Sequence, residues 1–235
     1  MASRRPHPNS HLLIRSATAL AAFGAVLAAG CASAPSTGPM GFFVTSAGSG
    51  RGGDLGGLAG ADAHCQKLAT AAGAGARTWR AYLSVPGASP TASSPAVPAV
   101  NARDRIGPGP WHNAKGQLVA SNPDDLHGAN RLDKTTALDE MGRVINGVGD
   151  RPNEHDILTG SREDGTAFSP RGDTTCQAWT SSGEGSAVVG HSDRRGLVVE
   201  NWAKSWNFAH PSAGCTQEAL VRTGGAGRFY CFAAN

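Results

Sequence analysis

The chain contains five cysteines: Cys31, Cys65, Cys176, Cys215 and Cys231. An odd number leaves at least one sulfur without a partner in the same molecule, and the setting of Cys31 separates it from the other four. It follows an apolar run, "ATALAAFGAVLAAG" (17–30), which is preceded by Arg4, Arg5 and Arg15 and by no acidic residue. Such a run falls short of the roughly 20 apolar residues that cross a bilayer as a helix, and a basic start, apolar middle and small-residue end make an export leader. Export would place the other four cysteines in an oxidising compartment, where an even set reads as a disulfide framework. Four cysteines allow three connectivities, and sequence alone does not choose among them.

The end of the leader, "LAAGC", resembles a bacterial lipoprotein signal, in which cleavage before the cysteine accompanies attachment of a diacylglyceryl group to its sulfur. Ala28 stands where that motif usually has Leu, Val or Ile, and Leu27 lies one residue further back. The resemblance implies a signal peptide over 1–30, a lipidated Cys31 opening a flexible tether over 31–41, and a folded domain over 42–235. The alternative is ordinary secretion with an incidental cysteine. On the lipoprotein reading the chain meets the membrane through its lipid anchor and belongs to the bacterial cell envelope. Ser33 replaces the aspartate that retains lipoproteins in the inner membrane, which favours the outer membrane in a Gram-negative host. Cleavage also changes the charge. Lys and Arg number 21 against 18 Asp and Glu, a formal +3, and loss of the three leader arginines brings this to zero. The basic balance therefore belongs to the leader, and nucleic-acid binding, which needs a basic face, loses its compositional support.

The remainder, roughly 200 residues, suits one domain with a single core. Cys65, Leu68, Ala69 and Ala72 recur at helical spacing and predict a helix, with Asp62 near its start complementing the dipole and Gly73 as its stop. "GFFVTSA" (41–47) and "RTWRAYLS" (77–84) read as strands, the second placing Trp79, Ala81 and Leu83 on one face. "SVPGASPTASSPAVPAV" (84–100) reads as an excursion loop. "HDILTGS" followed by "REDGTAF" predicts a strand and a turn at Asp164-Gly165, and a short helix is expected around "TTCQAWTS" (174–181). "AVVGHS", "SWNFAH" and "GRFYCFA" finish as strands. The order predicts an α+β domain with a mostly antiparallel sheet, two short helices and long loops.

The run "GLAGADAHCQKLATAAG" (57–73) with "RTWRAYLS", then "LTGSREDGTAF", "CQAWTS", "SAGC" and "RFYCF", resembles the endostatin domain of collagens and its bacterial relatives, a variant of the C-type-lectin-like domain. The most specific parts are Gly60-Ala61-Asp62, Cys65-Gln66, Arg80-Ala81-Tyr82-Leu83-Ser84, and the Cys-x-x-Trp of Cys176 and Trp179. The likeness covers most of 42–232 and is weakest over 86–153. It implies a nested pairing, Cys65 with Cys231 and Cys176 with Cys215, which would tie the first helix to the last strand and leave Cys31 for the lipid.

Calcium-dependent sugar binding in C-type lectins uses a Glu-Pro-Asn or Gln-Pro-Asp loop with Trp-Asn-Asp, because a hard cation needs clustered oxygens. Here the nearest stretches are Arg151-Pro152-Asn153-Glu154 and Trp206-Asn207-Phe208, with Arg151 and Phe208 in place of the carboxylates. Trp206 and Asn207, together with Arg194 and Arg195 of "HSDRRG", are the candidate ligand-binding residues, although two arginines in a neutral domain make a weak field. Endostatin-type domains can bind zinc through histidines near their N-terminus, but no histidine lies between Cys31 and His64. His64, His112, His127, His155, His191 and His210 show neither finger nor HExxH spacing. Glu154-His155-Asp156 is a dense polar trio, yet neighbours on a strand face opposite sides, so a structural or solvent-exposed role is expected, with no metal and no cofactor. Arg171-Gly172-Asp173 spells an integrin-type tripeptide and equally fits a turn. No nucleophile elbow, phosphate loop or dinucleotide fingerprint occurs; "GSGRGGDLGG" (48–57) reads as a loop, and the pairs Asp124-Asp125 and Glu163-Asp164 sit in turns. The expected function is a membrane-anchored exported lipoprotein with a non-enzymatic, lectin-like domain for an envelope or extracellular glycan or protein. The alternatives are a cell-envelope hydrolase without a recognisable motif and a purely structural envelope lipoprotein.

Overall fold

The computed structural model describes residues 38–169 and 172–235; the expected leader over 1–30, the expected lipidation at Cys31 and the expected tether up to residue 37, with Pro170 and Arg171, lie outside the described residues. In chain order the described elements are β1 (Phe42–Val44), α1 (Gly57–Ala71), β2 (Trp79–Ala81), the hairpin β3 (Trp111–His112) and β4 (Leu118–Ala120), and α2 (Pro123–His127). Then come β5 (Asp156–Leu158), the turn α3 (Cys176–Trp179), β6 (Val188–His191), β7 (His210–Pro211), α4 (Gln217–Arg222) and β8 (Gly225–Ala233). The result is a mixed α+β domain built mainly on sheet. The main sheet runs β1-β8-β5-β6-β7, with β2 also on β8. Its pairings are antiparallel except that of β5 with β8, which is parallel.

Strand alternation explains the layers. Along β8, Phe229, Cys231 and Ala233 face one side and Tyr230 and Phe232 the other, while on β1 Phe43 opposes Phe42 and Val44. The first face is covered by α1 with Trp79 and Trp179. The second is covered by Ile106, Trp111, Val119, Leu126 and Leu132, all from the irregular middle of the chain. That middle is thus the second layer of the core, and β8 is buried on both faces, as its nearly unbroken apolar sequence requires.

Helix α1 buries Ala61, Cys65 and Ala69. It ends as predicted: Gly73 has φ 81, its N–H donates to the Thr70 carbonyl (3.1 Å), and the Ala74 N–H donates to the Ala69 carbonyl (2.8 Å). This pair of bonds is a Schellman stop, in which the left-handed position favours glycine. Asp62 does something other than complement the helix dipole. The helix begins at Gly57, so Asp62 lies beyond the first turn, where it accepts from the Ala81 N–H (2.9 Å) and pairs with Arg80 (2.8 Å) and Arg105 (2.6 Å). It ties α1 to β2.

Both disulfides follow the nested pattern, Cys65–Cys231 and Cys176–Cys215, with Cα atoms 5.6 and 5.7 Å apart. They close loops of 166 and 39 residues. On the chain-entropy account these restrain the unfolded chain by about 5 and about 4 kcal/mol.

Three local expectations change. The stretch around Cys176 is a single left-handed turn, with φ of 48, 55, 55 and 69 from Cys176 to Trp179. Thr175 Oγ1 accepts from the Ala178 N–H (3.2 Å), Asp173 accepts from the Gln177 N–H (2.9 Å), and the Trp179 indole N–H donates to the Ser84 carbonyl (2.9 Å). These contacts hold a backbone that L-residues otherwise avoid. Second, "SWNFAH" reaches strand only at His210, and a 3-10 turn (Trp202–Lys204) precedes it. Its backbone lies directly on β6, since a Cβ at Gly190 would stand 1.9 Å from the Trp206 carbonyl oxygen. Third, α2 and α4 join the expected helices; both carry side-chain caps, Asn122 accepting from the Asp125 N–H and Thr216 from the Ala219 N–H. The 84–100 excursion is a loop, pinned at its base by bridges Val85–Val100 and Ala88–Val97 and exposed over 88–99.

The two left-handed sites give opposite expectations. No atom lies within 4 Å of a Cβ at Gly73, so Gly73→Ala is expected to cost only backbone strain, about 1 kcal/mol. Gln177→Gly, at an exposed position with φ 55, is expected to stabilise by a similar amount. Thermal unfolding with intact disulfides checks both, as shifts of about 3 °C down and up.

Candidate functional site

The segment between β6 and β7 brings most of the sequence-predicted ligand residues together. Arg194, Trp206 and Asn207 line a cavity of about 180 Å³, with Asn130, Glu163 and Asn201 at its margin. Arg195 is exposed and outside the lining; its backbone N–H donates to Asp193 (3.0 Å). Arg194 holds a left-handed backbone, φ 57, fixed by donation from its N–H to the His191 carbonyl (3.1 Å).

Trp206 and Asn207 build the floor. Trp206 is 3% exposed and packs on Tyr82 and Tyr230, with ring centroids 4.8 and 5.2 Å away. The Asn207 amide donates to the Tyr82 hydroxyl (2.9 Å) and to the Arg162 and Glu163 carbonyls (3.0 and 3.1 Å), and its oxygen accepts from Ser205 (3.1 Å). Its hydrogen-bonding capacity is used within the protein. Tyr82 in turn lies 2.8 Å from His127 Nε2, and His127 Nδ1 lies 2.6 Å from the Pro123 carbonyl, which fixes the proton on Nδ1 and makes the tyrosine the donor. Burial pushes the Tyr82 hydroxyl far up. Burial also holds the His127 imidazole below its ordinary value; the Pro123 bond opposes this and the Arg103 charge reinforces it.

The groups left for a ligand are at the rim. The nearest hydrogen-bond partner of the Arg194 guanidinium is Asn130 Oδ1, 3.5 Å away. Glu163 and Asn201 are exposed, and their side chains make no hydrogen bond among the described residues. A cation, a carboxylate and amides around one aromatic edge can meet a ligand rich in hydroxyl groups.

Other predicted features are structural. Glu154 pairs with Arg228 (2.6 Å). Arg171 lies outside the described residues, and Asp173 holds the α3 turn. Asp124 and Asp125 pair with Arg103 (3.2 Å) and Arg131 (3.0 Å), and Asp164 caps its own turn by accepting from the Thr166 N–H (2.9 Å).

A second cluster contains His155 and Asp156 of the polar trio, whose distant partners had no local signal; the two are buried rather than solvent-exposed. His155 precedes β5, so the alternation argument does not separate it from Asp156; both are buried and their side chains face each other at 3.3 Å. His191 at the end of β6 and His210 at the start of β7 reach the same carboxylate. The four residues come from adjoining strand ends, so only the strand order could have revealed them. Burial pushes the Asp156 carboxyl up, but the neighbouring imidazoles of His191 and His210 outweigh it and hold the group below the usual carboxylate range. The Asp156 carboxylate raises His210 in return.

Tyr82→Phe leaves His127 Nε2 without its donor and removes one of the three acceptors around the Asn207 amide, and is expected to cost about 1–3 kcal/mol in urea unfolding. His127 also predicts a pH effect. Its folded value lies below the ordinary 6.5, so the unfolded chain binds the extra proton first; the neutral imidazole's contribution is complete above pH 6.5 and falls away below it. The fall in melting temperature on acidification from pH 6.5 should therefore be shallower in His127→Gln. No family model matches the chain, and no curated protein matches it.

Proposed function

We propose that the chain is an exported, lipid-anchored, non-enzymatic binding module whose head, of endostatin-like and C-type-lectin-like architecture, takes a hydroxyl-rich glycan of the cell envelope or its surroundings. The observation that carries this reading is the polar cavity whose rim groups Glu163 and Asn201 make no side-chain hydrogen bond among the described residues and whose Arg194 is held only by a 3.5 Å bond to Asn130, while its floor is locked by internal hydrogen bonds. A rigid floor with uncommitted polar groups above it is the arrangement of a preformed binding site. The architecture is supported by the antiparallel pairing of the first and last strands, by the two nested disulfides, and by the long middle of the chain packed as one whole layer. The anchor is supported by Cys31 directly following the apolar leader, in a chain whose other cysteines are paired. The outer membrane is its place in a two-membrane host.

The test is a glycan array with the purified, processed chain, followed by titration with the best ligand. Saturable binding without release of reducing ends is expected. Arg194→Ala should weaken it at least tenfold, while Arg195→Ala should stay within twofold. Turnover of the glycan, or equal losses from both variants, would overturn the reading. Mass analysis of the native protein should find a lipid on Cys31.

A further inference from the structure

Asp156 is 2% exposed, and neither carboxylate oxygen has a hydrogen-bond partner. A buried carboxylate normally collects donors, and leaving it bare is costly. What surrounds Oδ1 instead is three imidazole nitrogens: Nε2 of His155 at 3.3 Å, of His191 at 3.3 Å and of His210 at 3.5 Å. These separations exceed the usual hydrogen-bond range of about 2.7–3.2 Å.

The outer nitrogens explain why. His155 Nδ1 lies 2.9 Å from Asp193 Oδ1, His191 Nδ1 lies 2.7 Å from the Ala203 carbonyl, and His210 Nδ1 lies 3.0 Å from the Pro211 carbonyl. A carboxylate and two carbonyls can only accept, so each Nδ1 carries a proton and each neutral ring presents a lone pair at Nε2. When all three rings are neutral, three lone pairs and a carboxylate face one another with no proton between them. A cation is what such a set lacks, and outer hydrogen bonds of this kind are what orient histidine ligands on a metal.

We propose that His155, Asp156, His191 and His210 bind one first-row divalent transition-metal ion, with zinc as the best fit. Bonds of about 2.0–2.1 Å in a tetrahedron place neighbouring ligand atoms about 3.3–3.4 Å apart, close to the 3.3–3.5 Å between Asp156 Oδ1 and each of the three Nε2 atoms. Imidazole donors suit zinc, copper or nickel, whereas calcium and magnesium require a cage of oxygens. The ligand atoms of His155, Asp156 and His191 all lie within 4.8 Å of one another. The His155 and His191 rings are stacked at 4.2 Å and 7°, and binding opens this stack so that both lone pairs converge. Asp193 steadies His155 and is itself held by N–H groups of Val148 (2.8 Å) and Arg195 (3.0 Å). His210, on the outermost strand and 30% exposed, closes the site on the side from which an ion enters. With four protein ligands the site is closed, and its effects are on affinity and stability.

The purified full chain, with disulfides formed, is stripped with a chelator and titrated separately with zinc, calcium and magnesium. One saturable equivalent of zinc is expected, with a rise in melting temperature and no such response to calcium or magnesium. Cobalt(II) should give the visible bands of four-coordinate geometry. Asp156→Asn and His210→Ala should each weaken zinc at least 100-fold, Asp193→Asn by about 10- to 100-fold, and His64→Ala less than twofold. Binding of less than a tenth of an equivalent by the unaltered chain would overturn the proposal whatever the variants do. So would undiminished zinc affinity in both Asp156→Asn and His210→Ala. Glycan binding plays no part in any of these readouts.

Discussion

Strand β8 carries the structure. It hydrogen-bonds to β1, β2 and β5, and its alternate side chains enter two separate halves of the core. Cys231 fastens one face to α1, while Phe232 on the other touches Phe42 at 4.9 Å and Trp111 at 5.2 Å. A strand buried on both faces forces the rest of the chain to supply two coverings. One is a helix; the other is assembled from the small β3–β4 hairpin, the short helix α2 and the loops that join them. This second covering contributes Tyr82's partner His127, at the end of α2, and the Asn130 margin of the polar cavity.

The short segment from His191 to Asn207 joins the two polar regions. At one end His191 enters the buried cluster; at the other Asn207 locks the cavity floor, and Arg194 stands between them. Gly190 makes this possible by letting the Trp206 backbone lie against β6. The Arg194 N–H donates to the His191 carbonyl, so the two polar regions share one backbone turn.

Much of the frame was legible in the sequence because it is written locally. The helical spacing through Cys65, the stop at Gly73 and the alternation in "RFYCF" each depend on residues within a turn or two. The stretch around Cys176 misled, since its left-handed conformation is imposed by Asp173, Thr175 and the distant Ser84, and propensity carries no trace of those. Trp206 and Asn207 were readable as notable residues, but not that the Asn207 amide is turned inward onto Tyr82 and two backbone carbonyls. The histidine cluster was the least legible: its members lie on three segments whose adjacency follows from the order β5-β6-β7, which no spacing rule encodes.

The 84–100 excursion has a practical consequence. Two cross-bridges seal its base, and the exposed tip contributes nothing to either half of the core. Lengthening such a tip changes only closure entropy, by about 0.6 kcal/mol for each doubling. A fluorophore or epitope tag spliced there would label the head without disturbing either disulfide or the main sheet.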